Sequence, residues 1–496
     1  MLLSWGVLTL LSTLAILFYF YCTRNFNYWK NKGVPHEKPR FFFGNLIELF
    51  FPKETTGRYL EFLYRKYQCP YFGIYSLNQP CLVVKDPTII KTILMKDFQS
   101  FQDRPIFSDE ACDPIFTTSL GIIKSPHWKP LRSKLSPIFT SGKMKLMFVL
   151  INKCAVNLKQ YINTILGDDG LDIKDVAGKY TTDVIATCAF GIEVNSFTNE
   201  NNRFRIVGKQ MFEKTLSRTL QIMCYFFAPS VVKLFNLKFM NPEATSFLRK
   251  AFTDTIQQRE IVKNKRNDLI DILIDLKNKE TQDDEFKFYG DRLVAQAVLF
   301  FGAGLESTST TIAFILHELC INVDIQDRVR KEIKDVTERC GGLTYESLQD
   351  MKYLDMVIAE ALRRYSLTAF LHRECTTDYR IPKTNLVIEK GTPVLIPLFA
   401  LQSDPKYFPN PEKFDPERFN NKNRHTIPSG VYLPFGDGPR NCIGERFAQV
   451  ATRLGIIHII KNFKVERNSY TKDVLTFEKA PFLRAKGGIH LTFQPL

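Results

Sequence analysis

The stretch Phe435-Gly436-Asp437-Gly438-Pro439-Arg440-Asn441-Cys442-Ile443-Gly444 decides how this chain of 496 residues is read. Cysteine is the side chain that offers a charged sulfur ligand, and it does so as thiolate. Cys442 follows a turn-rich run and precedes apolar residues at helical spacing: Ile443, Phe447, Val450, Ala451, Leu454 and Ile457. The pattern predicts a loop feeding a helix, with the sulfur at the helix N-terminus, where backbone N–H groups and the helix dipole favour negative charge. Gly436 and Gly438 leave room for a large flat group against the backbone. A thiolate-ligated haem suits such a loop, because electron donation from sulfur favours O–O cleavage. A buried structural thiol is the commoner fate of a lone cysteine. The set offsets of Phe435, both glycines, Arg440 and Gly444 around Cys442 argue against it.

Three distant segments carry matching chemistry. Trp128-Lys129-Pro130-Leu131-Arg132 places an indole N–H and a guanidinium on adjacent turns, two donors suited to a carboxylate; haem carries two propionates. Glu360 and Arg363 stand on one predicted helix face among Val357, Ile358, Ala361 and Leu362. A buried pair needs further partners, and Arg418 in Pro416-Glu417-Arg418-Phe419 is the candidate. Leu299-Phe300-Phe301-Gly302-Ala303-Gly304-Leu305-Glu306-Ser307-Thr308 lies in a long apolar helix expected to run to about Asn322. Glycine costs a helix about 1 kcal/mol relative to alanine, and local rule-breaking marks functional sites. The reading is a helix crossing the haem face. Gly304 lets dioxygen approach the backbone, and Glu306 with the Ser307 hydroxyl relays protons. Back-bonding of a hydroxyl to the i−4 carbonyl opens such a helix to water.

The whole chain is basic, with net charge +15 from 67 basic and 52 acidic residues. That balance suits a membrane surface or an acidic protein partner; no nucleic-acid motif accompanies it. The 11 cysteines are odd in number and contain no C-x-x-C pair, which argues against a disulfide framework. Residues 1–22 are uncharged and rich in Leu, Phe and Tyr, long enough for a transmembrane anchor. The absent basic n-region and the aromatic end Phe18-Tyr19-Phe20-Tyr21 disfavour a cleaved signal peptide. Arg24, Lys30 and Lys32 put the downstream side in the cytosol. Residues 23–40 read as a basic, proline-containing linker and 41–496 as one catalytic domain. The fold class is mainly α with a small β part: a sheet near 70–85, helical periodicity from about 85 to 365, and a long functional loop at 101–127. A polar stretch follows at 277–290, then a proline-rich segment at 366–440, and Gly487-Gly488 predicts a hairpin turn between final strands.

The 435–444 stretch resembles the haem-binding loop of the cytochrome P450 family at each fixed position, and the resemblance covers the chain after residue 30. It implies the P450 fold, with haem b between a long central helix and the Cys442 loop. It implies Cys442 as axial iron ligand, with Phe435 and Gly436 in the haem-binding loop. Arg373 and Arg440 join Trp128 and Arg132 as propionate donors. Glu360, Arg363 and Arg418 become a structural lock behind the haem, and Gly304, Glu306 and Ser307 the oxygen-activating group. Ser307 departs from the family's usual Thr, and loss of the methyl that fixes the rotamer predicts some uncoupling to peroxide. Ser366 and Leu367 stand where related proteins often carry prolines. Phe107, Phe116, Leu120, Phe212, Phe300, Ala303, Phe370, Leu371 and Phe482 fall in segments that line the substrate pocket in related proteins. The run 222–228 is a candidate for dipping into a bilayer.

The stretch from Leu131 to Lys145 looks most like the insect xenobiotic-metabolising branch, family six. The implied protein is an endoplasmic-reticulum membrane monooxygenase with its catalytic domain on the cytosolic side. It acts on lipophilic small molecules such as plant toxins, insecticides, hormones or lipids. Electrons come from NADPH through a separate NADPH-cytochrome reductase docking near Lys124, Lys129, Lys134, Lys143 and Lys145, because no nicotinamide or flavin fingerprint is present; cytochrome b5 is a second candidate donor. The rival readings are a reductase-independent haem-thiolate isomerase or dehydratase, and a haem sensor without turnover. An absent acid–hydroxyl pair would favour the isomerase; Glu306 and Ser307 point the other way.

Overall fold

The computed structural model describes residues 2–496 except 46, 47, 49–53, 168, 169, 200, 214, 263–265, 267, 280–285 and 481. Part of the polar stretch expected at 277–290 therefore lies outside the described residues. Helix α1 (Leu2–Thr23) is apolar on all sides and its described side chains are exposed up to Tyr21. It meets the rest of the chain through rings: Phe18 against Phe41 and Phe42, and Tyr19 stacked on Phe41 at 5.5 Å.

Residues 28–40, expected as a linker, are docked rather than free. Trp29 is fully buried and its indole N–H donates to the Ile74 carbonyl at 3.0 Å. Its ring lies where a Cβ on Gly73 would come within 2.4 Å, so Gly73 makes the docking possible. Backbone bonds Gly73 N–H to Pro35 O and Glu37 N–H to Gly73 O complete the seam.

That seam lies on the main sheet. Strands β1 (Tyr71–Ser76) and β2 (Gln79–Val84) form an antiparallel hairpin in register Tyr71↔Val84. Their apolar runs bury Phe72, Ile74, Leu82, Val83 and Val84. Two later segments, β3 (Leu371–Glu374) and β4 (Pro393–Ile396), extend the sheet in the order β1-β2-β4-β3. β4 runs parallel to β2, and β3 antiparallel to β4.

The helical body surrounds one long helix. α2 (Trp128–Leu135), α3 (Ser141–Thr164), α4 (Ile173–Phe190), α5 (Arg203–Met211) and α6 (Leu216–Phe227) precede the central α7 (Gly290–Ile321). α8 (Lys352–Arg364) and α9 (Glu445–Ile460) follow. At about 1.5 Å per residue α7 spans roughly 48 Å, and its apolar majority is buried in the core it shares with α3, α4, α8 and α9. α4 approaches α7 closely enough for the Thr181 hydroxyl to donate to the Leu305 carbonyl at 3.2 Å. Asp172 caps α4 by accepting from Lys174 N–H, and also accepts from Ile489 N–H, tying the C-terminal region to this helix.

The final segment differs from the expected hairpin. Phe477 bridges to Ala485 and Phe482 to Thr368, while Gly487 and Gly488 turn with φ of +81° and +77°. The strand beyond them, β6 (Thr492–Pro495), pairs with β5 (Phe463–Glu466), not with the segment before the turn. Left-handed backbone at two successive glycines redirects the chain, and His490 bridges to Asp172.

Candidate functional site

The Cys442 loop is held by its own backbone and by α2. Cys442 N–H donates to Phe435 O at 2.8 Å, and Asn441 N–H to Gly438 O at 3.1 Å. Gly438 has φ +73°, and a Cβ there would lie 1.8 Å from the Leu94 carbonyl oxygen, so only glycine fits. The Arg132 guanidinium donates to Asn441 Oδ1 at 2.7 Å and to Asn441 O at 3.0 Å. α9 begins at Glu445 with Gly444 as its N-cap. The sulfur thus stands in the loop two residues ahead of the helix N-cap, and Arg132 engages the Asn441 carbonyl beside it.

Cys442 itself is exposed, yet burial pushes its thiol pKa up, against the pull of the Gly444 N–H and of the Arg132 and Arg104 guanidiniums. Both observations describe a sulfur that opens onto an interior space. Such a thiol becomes a thiolate when a metal ion takes the proton's place.

Buried cations crowd the same region. Arg373 and Arg440 are 2 % and 4 % exposed. Burial and the neighbouring Arg104 guanidinium pull Arg373 down to about 9 and Arg440 to about 8. Arg440 donates to the Gln102 and Ile123 carbonyls, lies over the Trp128 ring at 4.9 Å and reaches Asp103 at 3.7 Å. Among the described residues, the Nε atoms of Arg373 and Arg440 and Nε2 of His372 are buried without a hydrogen-bond partner. Two buried guanidiniums and the half-buried Arg104, set against the Asp103 carboxylate, leave net positive charge that an anion would relieve. Two propionates fit that need.

The opposite wall is α7. Ala303 is exposed in the middle of this otherwise buried helix, and Ser307, one turn on, donates its hydroxyl to Ala303 O at 2.7 Å. These two mark an open face of α7. The expected back-bonding of the hydroxyl is present. Gly304 and Glu306 depart from the sequence reading. A Cβ at Gly304 would lie 2.4 Å from Ile185 Cδ1, so this glycine lets α4 pack against α7. Glu306 turns from the Ser307 face toward α4 and the C-terminal segment. Its carboxylate pairs with Lys174 at 3.1 Å and Arg484 at 2.8 Å. Burial alone would raise the Glu306 carboxyl; Lys174 and Arg484 outweigh it and hold it below the usual carboxylate range.

Glu360, Arg363 and Arg418 come together as expected. Glu360 is fully buried and pairs with Arg363 at 2.7 Å and with Arg418 at 3.4 Å. Arg363 also donates to the Gln402 and Pro411 carbonyls, and Glu360 accepts from Asp415 N–H. Those bonds fasten the proline-rich 402–418 segment to α8.

The residues expected in the substrate pocket make the following contacts. Phe116 stacks on Phe239 at 3.7 Å and, like Phe107, packs on Tyr225 in a separate cluster. Leu120 is buried in the main core, its N–H donating to Gln296 Oε1. Phe300 meets Phe139 edge-on. Phe212 and Phe482 do meet, at 6.2 Å, and Phe370 and Leu371 lie partly open at the start of β3. Ser366 is fixed by its hydroxyl on Thr368 O, and Leu367 O accepts from Leu483 N–H, so this segment is held by a second, C-terminal hairpin, in which Phe477 bridges to Ala485 and Glu478 N–H donates to Arg484 O. Of the basic surface, Lys124 and Lys145 already pair with Glu374 and Glu346.

Four residues escaped the sequence reading. Arg104 had a weak signal in Asp103-Arg104-Pro105 within the 101–127 loop; His372 precedes Arg373 in β3. Lys174 and Arg484 had none, lying 132 and 178 residues from Glu306.

Residues 34–493 match the family model described as cytochrome P450. The chain is 42 % identical over 505 residues to cytochrome P450 6k1 of Blattella germanica, covering 98 % of this chain and 96 % of that protein. It is 41 % identical to cytochrome P450 6j1 of the same species over 98 % of the chain and 97 % of that protein. The probable cytochrome P450 6g2 of Drosophila melanogaster is 38 % identical over 98 % of both. With a thiol held in this loop beside buried arginines, and a match of this length, the chain belongs to the cytochrome P450 family of haem-thiolate monooxygenases.

Proposed function

We propose that this protein is a membrane-anchored, NADPH-dependent monooxygenase of lipophilic small molecules, receiving electrons from a separate reductase. The observation that carries it is the Cys442 thiol beside the buried Arg373 and Arg440 and the half-buried Arg104, three guanidiniums with Asp103 as the carboxylate near them. One oxygen atom of dioxygen goes to the substrate, and the other leaves as water with two electrons from NADPH and two protons. Haem, when bound, supplies the dioxygen chemistry.

The chain's own residues do the remainder. Cys442 would hold the iron, in a loop that the close approach of Gly438 to the Leu94 carbonyl keeps in place. Arg373 and Arg440 would take the propionates, with Trp128 under the Arg440 guanidinium; Arg132 braces the loop through Asn441. Ala303 and Ser307 form the wall on which a ligand rests, with the Ser307 hydroxyl as hydrogen-bonding group. Helix α1 serves as the anchor: it is 22 residues long, uncharged and exposed. The exposed Leu234 and Phe235 add an apolar surface for the same membrane. The membrane in this reading is that of the endoplasmic reticulum, and Arg24, Lys30 and Lys32 after the apolar run support a body on the cytosolic side. Exposed Lys129 is the central group of the reductase-docking surface, with cytochrome b5 as an alternative donor there.

The test is a carbon monoxide difference spectrum of the reduced protein, followed by NADPH-driven turnover of an ether probe with added reductase. A band at about 450 nm, the signature of thiolate ligation, is expected. A band at about 420 nm, or turnover independent of dioxygen and NADPH, would overturn the reading.

A further inference from the structure

Arg440 is fixed as a staple. Its Nη1 donates to Gln102 O at 2.6 Å and its Nη2 to Ile123 O, so both ends of the 101–127 loop are fastened to the Cys442 loop. Beside Gln102 stands Asp103, whose carboxylate lies 3.7 Å from the same Nη1. Asp103 is 8 % exposed. Its Oδ1 accepts from Ser125 N–H at 2.9 Å, which sets the side chain against the far end of the loop. Its carbonyl accepts from Glu374 N–H at 2.8 Å, which ties the backbone to β3, the strand that carries Arg373. The acid is therefore held from both sides, in a place the arginines do not choose for it.

At 3.7 Å the carboxylate is too far from Arg440 for a hydrogen bond. It acts on the guanidinium through charge. Burial and the Arg104 guanidinium pull Arg440 down to about 8, and Asp103 works against them. Among the described residues, no carboxylate pairs with Arg104 or Arg373. The next acid, Glu374, is committed to Lys124 at 2.6 Å. Three guanidiniums with one carboxylate leave two positive charges, and two propionates carry two negative ones. A buried group of charges is tolerated when it is balanced and is costly when it is not.

We propose that Asp103 is a charge-setting, positioning residue of the haem site: it limits to two the positive charges that Arg104, Arg373 and Arg440 present, and so makes the bound haem harder to reduce. This rests on the monooxygenase reading, in which haem sits in the Cys442 loop and takes one electron at a time from the reductase. That step forms and breaks no bond; the iron gains the electron that the reductant loses. A buried negative charge nearby opposes the added electron, and salt screens it weakly. Second-shell groups and burial set haem potentials in this way.

The experiment titrates the haem-loaded full chain with dithionite in a spectroelectrochemical cell, in low and in high salt. Asp103→Asn should favour the reduced form on the order of tenfold, a positive shift of about 59 mV for one electron, at both salt concentrations. Asp103→Glu keeps the charge and should hold the unmodified midpoint. A midpoint unmoved in Asp103→Asn, a shift equal in the Asn and Glu variants, or a shift that disappears in high salt overturns the proposal; a merely structural role would change thermal unfolding and leave the midpoint in place. If Asp103→Asn takes up no haem, Asp103→Glu decides. Loading with the unmodified midpoint supports the charge, and failure to load overturns it. Absence of the 450 nm band in the unmodified protein counts instead against the monooxygenase reading.

Discussion

Glu360 and Glu306 each face two cations, but the cations reach them differently. Arg363 stands one turn from Glu360 on α8, and Arg418 arrives from the meander; the carboxylate is fully buried and also accepts a backbone N–H. Lys174 and Arg484 approach Glu306 from separate elements, and its side chain keeps 12 % of its surface open. A sealed ion pair is costly to break, because the surviving partner is left charged in a low-dielectric interior. A pair at a cavity edge exchanges partners with water at far lower cost. The first arrangement suits a scaffold and the second a group that must change its proton.

The comparison breaks most visibly at Glu360. Glu360→Ala strands Arg363 and should cost about 3–5 kcal/mol, leaving little protein with a 450 nm band; a normal spectrum would remove the distinction. Glu306→Gln should cost about 1–2 kcal/mol by urea unfolding and retain haem. A loss as large as that at Glu360 would place both carboxylates in one class.

Acid provides a sharper probe. The Glu306 carboxyl is held below its ordinary value of 4.5, so its pairing contributes stability that is complete above that value and is lost as pH falls through the depressed one. Between neutral pH and the acid limb, unfolding curves of the unmodified protein and Glu306→Gln should converge only below about pH 4.5. Parallel curves would show that the ion pair adds nothing. The smallest effect is expected at Ser307→Thr, on the open face of the same helix. Its added methyl limits the hydroxyl rotamer, and peroxide released per NADPH should fall by less than about tenfold, under about 1.4 kcal/mol. An unchanged ratio would detach this hydroxyl from coupling.

Local chemistry was readable from the chain and distant partnership was not. The Cys442 loop declares itself because its glycines, Arg440 and sulfur lie within ten residues. Glu360 and Arg363 are one helical turn apart, so their pairing follows from helix geometry. The long apolar run placed the end of α7 at about Asn322, one residue beyond its last helical residue, Ile321. Glu306 misled because its neighbours along the chain are Leu305 and Ser307, whereas the groups that set its charge come from α4 and the C-terminal hairpin. Gly304 misled for a related reason: a missing side chain admits either a ligand or another helix, and Ile185 supplies the helix. The aromatic residues were the least legible. Apolar side chains fill cores and line cavities with the same chemistry, so Phe107 and Phe116 could be assigned to Tyr225 and Phe239 only once the chain was folded.

The hairpin that carries Arg484 also sets a schedule. Glu306 is made 132 residues after Lys174 but 178 residues before Arg484. At roughly 5–20 residues per second on the ribosome, the carboxylate waits roughly ten to forty seconds for its second cation. During that interval the central helix can pack on α4 with Lys174 alone, while Phe482 and the turn at Gly487 are still unmade. The Glu360–Arg363–Arg418 group is therefore complete in the synthesised chain before Glu306 has both of its cations.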